Sequence, residues 1–530
     1  MVKKFEMSNN KILKNLNIAL ELHQAGNFEQ AELIYKQILK VDPNNPDALH
    51  LLGAIFSNNQ DYDNAIRYIK KALSINPSAN YFVTLANTYL SQNNSAEAIN
   101  CYKALLSVYP DYIEVYSVLG NKLSESGRIT EAIEYYNKAI EIKPDCVEAY
   151  YNLGNVLLDN NKIESAKKYY NQAIEIKPDY AGAYYNLGVA FHFENNMQEA
   201  IKYYKKALSI KPDYIEIYFN LASAYLIEKN FDKGWEVYKQ NRHLKQEKHH
   251  IDKSLIKTQW NGEPLEGKTI YIYNEQGIGD TIFSARYLPV LNSMGAKVIF
   301  KPQAVLKELF RQSDLKAEIV DNSVNEIDIC FDTHISAYYL LSILNINIDN
   351  IPFQAGYLNA DKKKMEYYKQ KYFNNDKFKV GLVWQGSPGF KNDKRRSVTL
   401  EKFYMLANIP NIQLYSLQKG TGTEQLLQLP ENVEIMDLGA TFNDFSDTAA
   451  AIDNLDLVIT VDTAVAHLTG ALGKPVWMMI PYSPDWRWFL NTNECLWYKS
   501  LKIFRQNEPD NWPEVFDRIY KSLDSLVKNT

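Results

Sequence analysis

The sequence predicts an α-solenoid of helical repeats followed by an α/β region made of two Rossmann-like domains. Three observations carry this expectation. Pro43, Pro77, Pro110, Pro144, Pro178 and Pro212 recur at intervals of 34, 33, 34, 34 and 34 residues. Between them the same apolar code returns, as in Tyr116-x-x-Leu119-Gly120 followed by Ala132, Tyr136, Ala139 and Pro144. Beyond about residue 267 the period is lost, and short β-branched runs alternate with helical stretches instead.

The code repeats as Tyr150, Leu153, Gly154, Ala166, Tyr170, Ala173, Pro178 and as Tyr184, Leu187, Gly188, Ala200, Tyr204, Ala207, Pro212. A 34-residue unit with a large residue, Leu-Gly, then Ala and an aromatic is the tetratricopeptide pattern. Small residues stand where the two helices of a pair cross, and the proline ends the second helix because it cannot extend the hydrogen-bond ladder. Six full repeats and a degenerate seventh (Tyr218, Leu221, Ala222, Tyr225, Gly234, Tyr238) fill residues 11–242. The seventh lacks its closing proline, as expected of a terminal unit that faces something other than another repeat. A right-handed stack with a concave groove is expected, which is a binding surface rather than a seat of chemistry.

The chain has 530 residues, 46% hydrophobic and 23% charged, with a net charge of −5. These are values of an ordinary globular protein, and no basic field argues for nucleic acid. Cys101, Cys146, Cys330 and Cys495 lie far apart without metal-ligand spacing, and reduced core residues of a cytoplasmic protein are expected. No run reaches membrane-spanning length, so no membrane insertion is expected.

Residues 243–266 read as a charged linker ending in Trp260-Asn261-Gly262, and its adjacent His249 and His250 are poor candidates to converge on one ion. A first Rossmann-like, acceptor-side domain is expected over 267–365. Its first strand is Thr269–Tyr273, followed by a helix from Thr281 to Leu291 and strands at Lys297–Phe300 and Ile327–Cys330, with Val305–Gln312 helical. After the charged stretch 361–379, a second, nucleotide-sugar-binding domain is expected over 378–505. It has strands near 379–384, 412–415, 457–460 and 476–479 and helices at 400–407, 448–455 and 464–472. Residues 506–530 close the chain with a helix centred on Val515–Val527. Strand–helix alternation argues for parallel sheets covered on both faces, the two domains facing each other across a cleft.

Ligands of such sheets bind beyond the carboxyl ends of the strands. Gln276-Gly277-Ile278-Gly279-Asp280 lies there after the first strand. Its glycines permit a tight turn and close approach, and the helix start favours an anion. A plain strand-to-helix turn with Asp280 as cap is the other reading. Asp462-Thr463-Ala464-Val465-Ala466-His467 opens a helix in the same way, with a phosphate site or a capping Asp and a core His as the alternatives. Lys391 to Ser397, with Lys394, Arg395 and Arg396, concentrates positive charge after another strand, either for a pyrophosphate or as a solvated loop. Ser416-Leu417-Gln418-Lys419 and Asp485-Trp486-Arg487-Trp488 also follow expected strands and are individually unspecific.

Together these segments resemble repeat-fused members of the ADP-heptose:lipopolysaccharide heptosyltransferase family, over roughly Trp260 to Leu523. The resemblance implies a GT-B fold and an inverting, metal-independent sugar transfer from a nucleotide-sugar substrate, with no cofactor. It implies Asp280 as catalytic base, and Gly277, Gly279, Asp462, Thr463, Ala464 and His467 at the donor. Arg396 stands near that family's basic phosphate ligand and Gln418 near its nucleotide-contacting acid, both with a different residue type. No Asp-x-Asp pair occurs in this half, in keeping with metal-free chemistry, where helix N-termini and cations meet the leaving-group charge.

Asn152, Asn186 and Asn220 occupy the sixth position of their repeats, where Leu51, Thr84 and Val118 stand in repeats two to four. An amide both donates and accepts, so a ladder of them suits an extended peptide backbone. This resembles the asparagine ladder by which the repeats of O-linked N-acetylglucosamine transferase hold polypeptides. A protein acceptor in the groove is therefore expected. The alternatives are a glycan or lipid acceptor, a repeat scaffold that binds nucleotide without turnover, or another nucleotide-sugar enzyme such as an epimerase.

Overall fold

The computed structural model describes all residues except 1, 249–258, 276, 322, 325–328, 391 and 530, and the side chains of 2–9 and 243–248. His249, His250, Gln276, Lys391 and the Ile327–Asp328 half of an expected strand lie outside the described residues. The chain divides into two compact units, Met1–Asn186 and Leu187–Thr530.

Fourteen helices run in seven pairs from Val2–Gln24 to Phe231–Lys248. The second helices of the first six pairs end at Val41, Ile75, Val108, Ile142, Ile176 and Ile210, and each periodic proline follows two residues later. A second period is written in the backbone. Gly26, Gln60, Asn93, Gly127, Asn161, Asn195 and Lys229 all have φ between 58° and 79°, one in each turn joining the helices of a pair. Asn and Gly tolerate this left-handed region, which lets the chain reverse in very few residues. In some of these turns a side chain then caps the following helix, as when Asp61 accepts from the Asn64 amide and Asn94 from that of Glu97, whereas Asn27, Arg128 and Lys162 make no such bond.

The glycine of the repeat code is a seat for a ring. A Cβ on Gly120 or Gly154 would lie 2.5 or 2.6 Å from the Tyr136 or Tyr170 ring. The hydroxyls of Tyr102, Tyr136 and Tyr170 donate to Oδ1 of Asn87, Asn121 and Asn155 at 3.2, 2.6 and 2.9 Å. Each ring is buried and its polar tip is satisfied, so a phenol serves where leucine would otherwise pack.

The second unit contains two parallel sheets. The first joins β1 (Thr269–Tyr273), β2 (Lys297–Lys301), β3 (Glu318–Ile319) and β4 (Thr333–Ser336) in the order β3-β2-β1-β4. The second joins β5 (Phe378–Val383), β6 (Ile412–Ser416), β7 (Ile435–Asp437), β8 (Leu457–Val461), β9 (Val476–Ile480) and β10 (Leu501–Arg505) in the order β10-β9-β8-β5-β6-β7. In each sheet the strand order reverses beside the first strand, between β1 and β4 and between β5 and β8. Those are the points at which an open α/β sheet presents a crevice. The closing helix Trp512–Lys528 lays Val515, Phe516, Ile519 and Leu523 on the second sheet's core, with Phe516 edge-on to Phe403 at 4.9 Å.

Several expected boundaries are corrected. The helix expected over Thr281–Leu291 is two, Ile278–Ala285 and Leu288–Ser293, because Pro289 lacks the amide a continuous helix needs. Ile329 and Cys330 are not in a strand; the fourth strand begins at Thr333. The region 400–408 winds as a 3₁₀ helix. Part of the charged stretch after 361 is a helix, Lys362–Tyr372, started by the Asp361 carboxylate accepting from the amides of Lys363 and Lys364. The last solenoid helix runs into the expected linker, to Lys248, and Trp260 at the linker's far end is buried. Cys101 is buried, whereas Cys330 is exposed and is no core residue.

Candidate functional site

Asp280 sits in the first turn of helix Ile278–Ala285, directly beyond β1. Gly277 caps that helix with φ −61°, a value open to any residue, so the turn does not require glycine there. Gly279 does answer a steric need. Its missing Cβ would lie 3.0 Å from His467 Cδ2 and 3.4 Å from Ala464 Cα. The helix after β1 thus packs directly on helix Ala464–Ala471 after β8, where an open cleft was expected. Asp280 and the Asp462–His467 segment belong to one site.

Loop Asp485–Phe489, after β9, joins the carboxylates. The Arg487 guanidinium donates through Nη2 to Asp280 Oδ1 at 2.6 Å and through Nη1 to Asp485 Oδ1 at 2.8 Å. Trp488 Nε1 donates to Asp462 Oδ2 at 2.9 Å. From the loop after β5, Arg396 donates through Nη1 to the Asp462 carbonyl at 2.7 Å and through Nε to Asp393 Oδ1 at 2.9 Å. Arg396 therefore spans the reversal point between β5 and β8. Thr463 caps helix Ala464–Ala471, with its Oγ1 3.1 Å from Thr460 Oγ1.

The protonation behaviour follows from this packing. Burial raises the Asp280 carboxyl above its ordinary value, against the pull of Arg487 and with a push from Asp485. Asp462 is raised to about 6, first by burial and then by Asp485, while Arg396 and the Trp488 indole oppose the shift. Burial, with Arg487, Arg286 and Arg396 adding to it, holds His467 well below the usual imidazole range and neutral. His467 Nδ1 lies 3.0 Å from the Tyr498 hydroxyl. A carboxylate with raised proton affinity, next to guanidinium groups and a helix start, is equipped to take a proton beside an anion.

Gln418 corrects an expectation. Its Oε1 accepts from the amides of Trp384 and Gln385 at 3.2 Å each, and its Nε2 donates to the carbonyls of Gln385 and Thr421 at 3.0 and 2.9 Å. All four hydrogen-bonding positions of the amide are in use. Gln418 latches two loops together and has no capacity left for a nucleotide.

The three asparagines of the expected ladder differ among themselves. Asn186 donates to Asn155 Oδ1 at 2.7 Å and to the Tyr151 hydroxyl at 3.2 Å, so its amide hydrogens already serve the preceding repeat. Its ladder role therefore reduces to the carbonyl oxygen. Asn152 and Asn220 are half-buried on the first helices of repeats five and seven.

Sequence reasoning undervalued loop Asp485–Trp488. The available signal was its density of indole and guanidinium after a strand. Arg286 was also missed. It is fully buried, donates to the Trp497 carbonyl at 2.9 Å and stands over the Tyr498 ring at 4.5 Å and the Tyr357 ring at 4.9 Å. Among the described residues, no three His, Cys, Asp or Glu side chains converge to hold a metal ion. Among the same residues, no helix is long and apolar enough to cross a membrane.

The N-terminal half carries tetratricopeptide repeats, and a parallel α/β region follows them. Family models described as TPR repeat and as tetratricopeptide repeat match residues 120–161 and 151–215. One described as anaphase-promoting complex, cyclosome, subunit 3 matches 24–105. The chain is 26% identical over 296 residues to protein FlbA of Caulobacter vibrioides, covering 50% of this chain and 48% of FlbA. The chain thus spans about half the length of the curated relative it matches. Among solved structures it is similar to MamA, at 27% identity over 31% of this chain and 96% of that one, with TM-score 0.29. It is also similar to YrrB, described as a TPR protein with an unusual peptide-binding site. There the identity is 21% over 34% of this chain and 95% of that one, with TM-score 0.30.

Proposed function

We propose that the C-terminal half is a metal-independent, inverting glycosyltransferase of GT-B type, and that the repeats hold its polypeptide acceptor. The observation that carries this reading is Gly279 packed against Ala464 and His467, which sets Asp280 beside the loop proposed to bind the donor diphosphate. In the step, the Asp280 carboxylate takes the proton of an acceptor hydroxyl as that oxygen attacks the anomeric carbon. The bond from that carbon to the pyrophosphate oxygen breaks, and the sugar inverts. The departing nucleoside diphosphate carries the electron pair, its charge met by Arg396 and the amides at the start of helix Ala464–Ala471.

The test is nucleoside diphosphate release from a panel of nucleotide sugars by the full chain and by Asp280→Asn. Asn keeps the size of the side chain and loses the proton acceptor. The expected result is turnover that falls by about two to four orders of magnitude in the variant, with nucleotide binding nearly unchanged. A repeat scaffold that binds nucleotide without turnover is the second reading, favoured by the Arg487 ion pair that occupies Asp280. Nucleotide binding with no release from any donor would decide for it.

A further inference from the structure

The loop that reaches both Asp280 and Asp462 is itself held by the end of the solenoid. Asn195 and Lys229 are the left-handed turn residues of the sixth and seventh repeats. Asn195 donates through Nδ2 to the Tyr482 carbonyl at 2.8 Å, and Ser483 Oγ donates to the His192 carbonyl at 3.1 Å. The Lys229 ammonium lies 5.5 Å from the centre of the Phe489 ring, and Phe231 meets the same ring edge-on at 6.1 Å. Trp235, on the last solenoid helix, packs edge-on to Trp486 at 5.5 Å and donates to the Ile346 carbonyl at 2.6 Å. On the other side, Trp497 packs on Trp486 at 5.9 Å and donates to the Arg487 carbonyl at 2.7 Å.

The loop is also under tension. Phe489 has φ 44°, a region that costs a non-glycine residue energy and persists only where surroundings over-determine it. Those surroundings are Phe231, Lys229 and Trp497 around the ring, and Arg505 Nη2, which donates to the carbonyls of Trp488 and Phe489 at 2.9 and 2.6 Å. Two neighbouring residues of a strained loop thus point their polar atoms at the two carboxylates of the site. The sixth and seventh repeats supply much of the packing that keeps them there.

We infer that the sixth and seventh repeats are a built part of the proposed active site, their contacts through Asn195, Lys229 and Trp235 holding Arg487 as the positioning residue for Asp280. The inference rests on the transferase reading for its chemistry and on contacts within one compact unit for its geometry. Arg487 orients the carboxylate and offsets the cost of its charge; the chemistry is left to Asp280. Among the described residues, the other charged and titratable groups near Asp280 are Asp485 on the loop of Arg487, Arg396 from the loop after β5, Tyr338 from the turn after β4, and neutral His467 across Gly279.

The test uses the full chain with labelled aspartate, the Asp280 carboxyl resonance being assigned by its loss in Asp280→Asn. Its titration and the pH dependence of donor turnover are followed in Arg487→Gln, Arg487→Lys, Asn195→Ala and Trp235→Phe. Loss of a guanidinium at ion-pair distance is expected to raise the carboxyl titration by about one to three units. The acid limb of turnover moves the same way, the donor KM stays unchanged, and Arg487→Lys restores much of the shift. Asn195→Ala and Trp235→Phe, which keep the packing nearly whole, are expected to move both readouts in the same direction by less. An Asp280 titration that does not move in Arg487→Gln overturns the inference. So does an unmoved titration in both repeat variants, which would make their contacts purely structural. A shifted titration in a protein that turns over no donor upholds the positioning and sinks the transferase reading instead.

Discussion

Gly279 lies against His467 so closely that a methyl group on the first would stand 3.0 Å from Cδ2 of the second. Gly279→Ala should therefore be destabilising, by about 1–3 kcal/mol as an overpacked contact between two helices. Thermal unfolding followed by calorimetry checks this, and an unchanged Tm would mean that the His467 ring gives way to the added methyl group.

Arg396 and Thr463 flank the reversal point of the second sheet. Arg396→Ala and Thr463→Ala should each weaken nucleoside diphosphate affinity by about 1–3 kcal/mol, the range for a lost charged or buried hydrogen bond. Titration calorimetry showing full affinity in both variants removes the proposed phosphate site.

Asp462 gives the molecule a pH dependence. Its carboxyl takes up a proton at about 6 in the fold, against an ordinary 3.8. Between those values the native state binds more protons than the unfolded chain, so stability falls as pH rises through the window. Asp462→Asn keeps an acceptor for the Trp488 indole and removes the buried charge. The variant should melt above the wild type at pH 7, with the difference vanishing towards pH 4. A gap that is the same at both pH values would show that charge burial is not its cause.

Chelation offers a test of a different kind. Transfer should continue in EDTA at the rate seen without it. Loss of activity that Mn²⁺ or Mg²⁺ restores would refute the metal-free step.

The groove prediction separates by residue. Replacing Asn152, Asn186 and Asn220 together by Ala should abolish modification of a polypeptide acceptor and leave donor hydrolysis intact. Asn186→Ala alone should also cost about 1 kcal/mol of stability, since its amide bonds to Asn155 and Tyr151 inside the stack. Equal loss of transfer and hydrolysis in the triple variant, or loss of neither, defeats the ladder.

The repeat array was legible because its determinants are local. Pro43 to Pro212 end helices by a missing amide, and Gly120 or Gly154 marks a crossing within its own hairpin. The loops at Asp280 and Asp462 were legible as strand-loop-helix junctions. Their direct packing was not, since it joins residues nearly two hundred positions apart. Gln418 was misread for a related reason: its partners are main-chain groups, which no side-chain pattern announces. β3 and β7, of two and three residues, are too short to carry a period. The segment holding Arg487 stood out only as one unspecific loop among several, because the meaning of Arg487 depends on Asp280, on the Phe283 ring 5.0 Å from its guanidinium and on the seventh repeat, gathered only by the fold.

In the third repeat, the seat that holds glycine in the fourth and fifth is occupied by Ala86. The Tyr102 hydroxyl there stands 3.2 Å from its asparagine, against 2.6 and 2.9 Å above Gly120 and Gly154. A single carbon atom thus accompanies a looser clasp between two helices of a hairpin. The choice between Gly and Ala at this seat therefore sets how closely a ring can settle between the two helices of its own hairpin. It can be made one hairpin at a time.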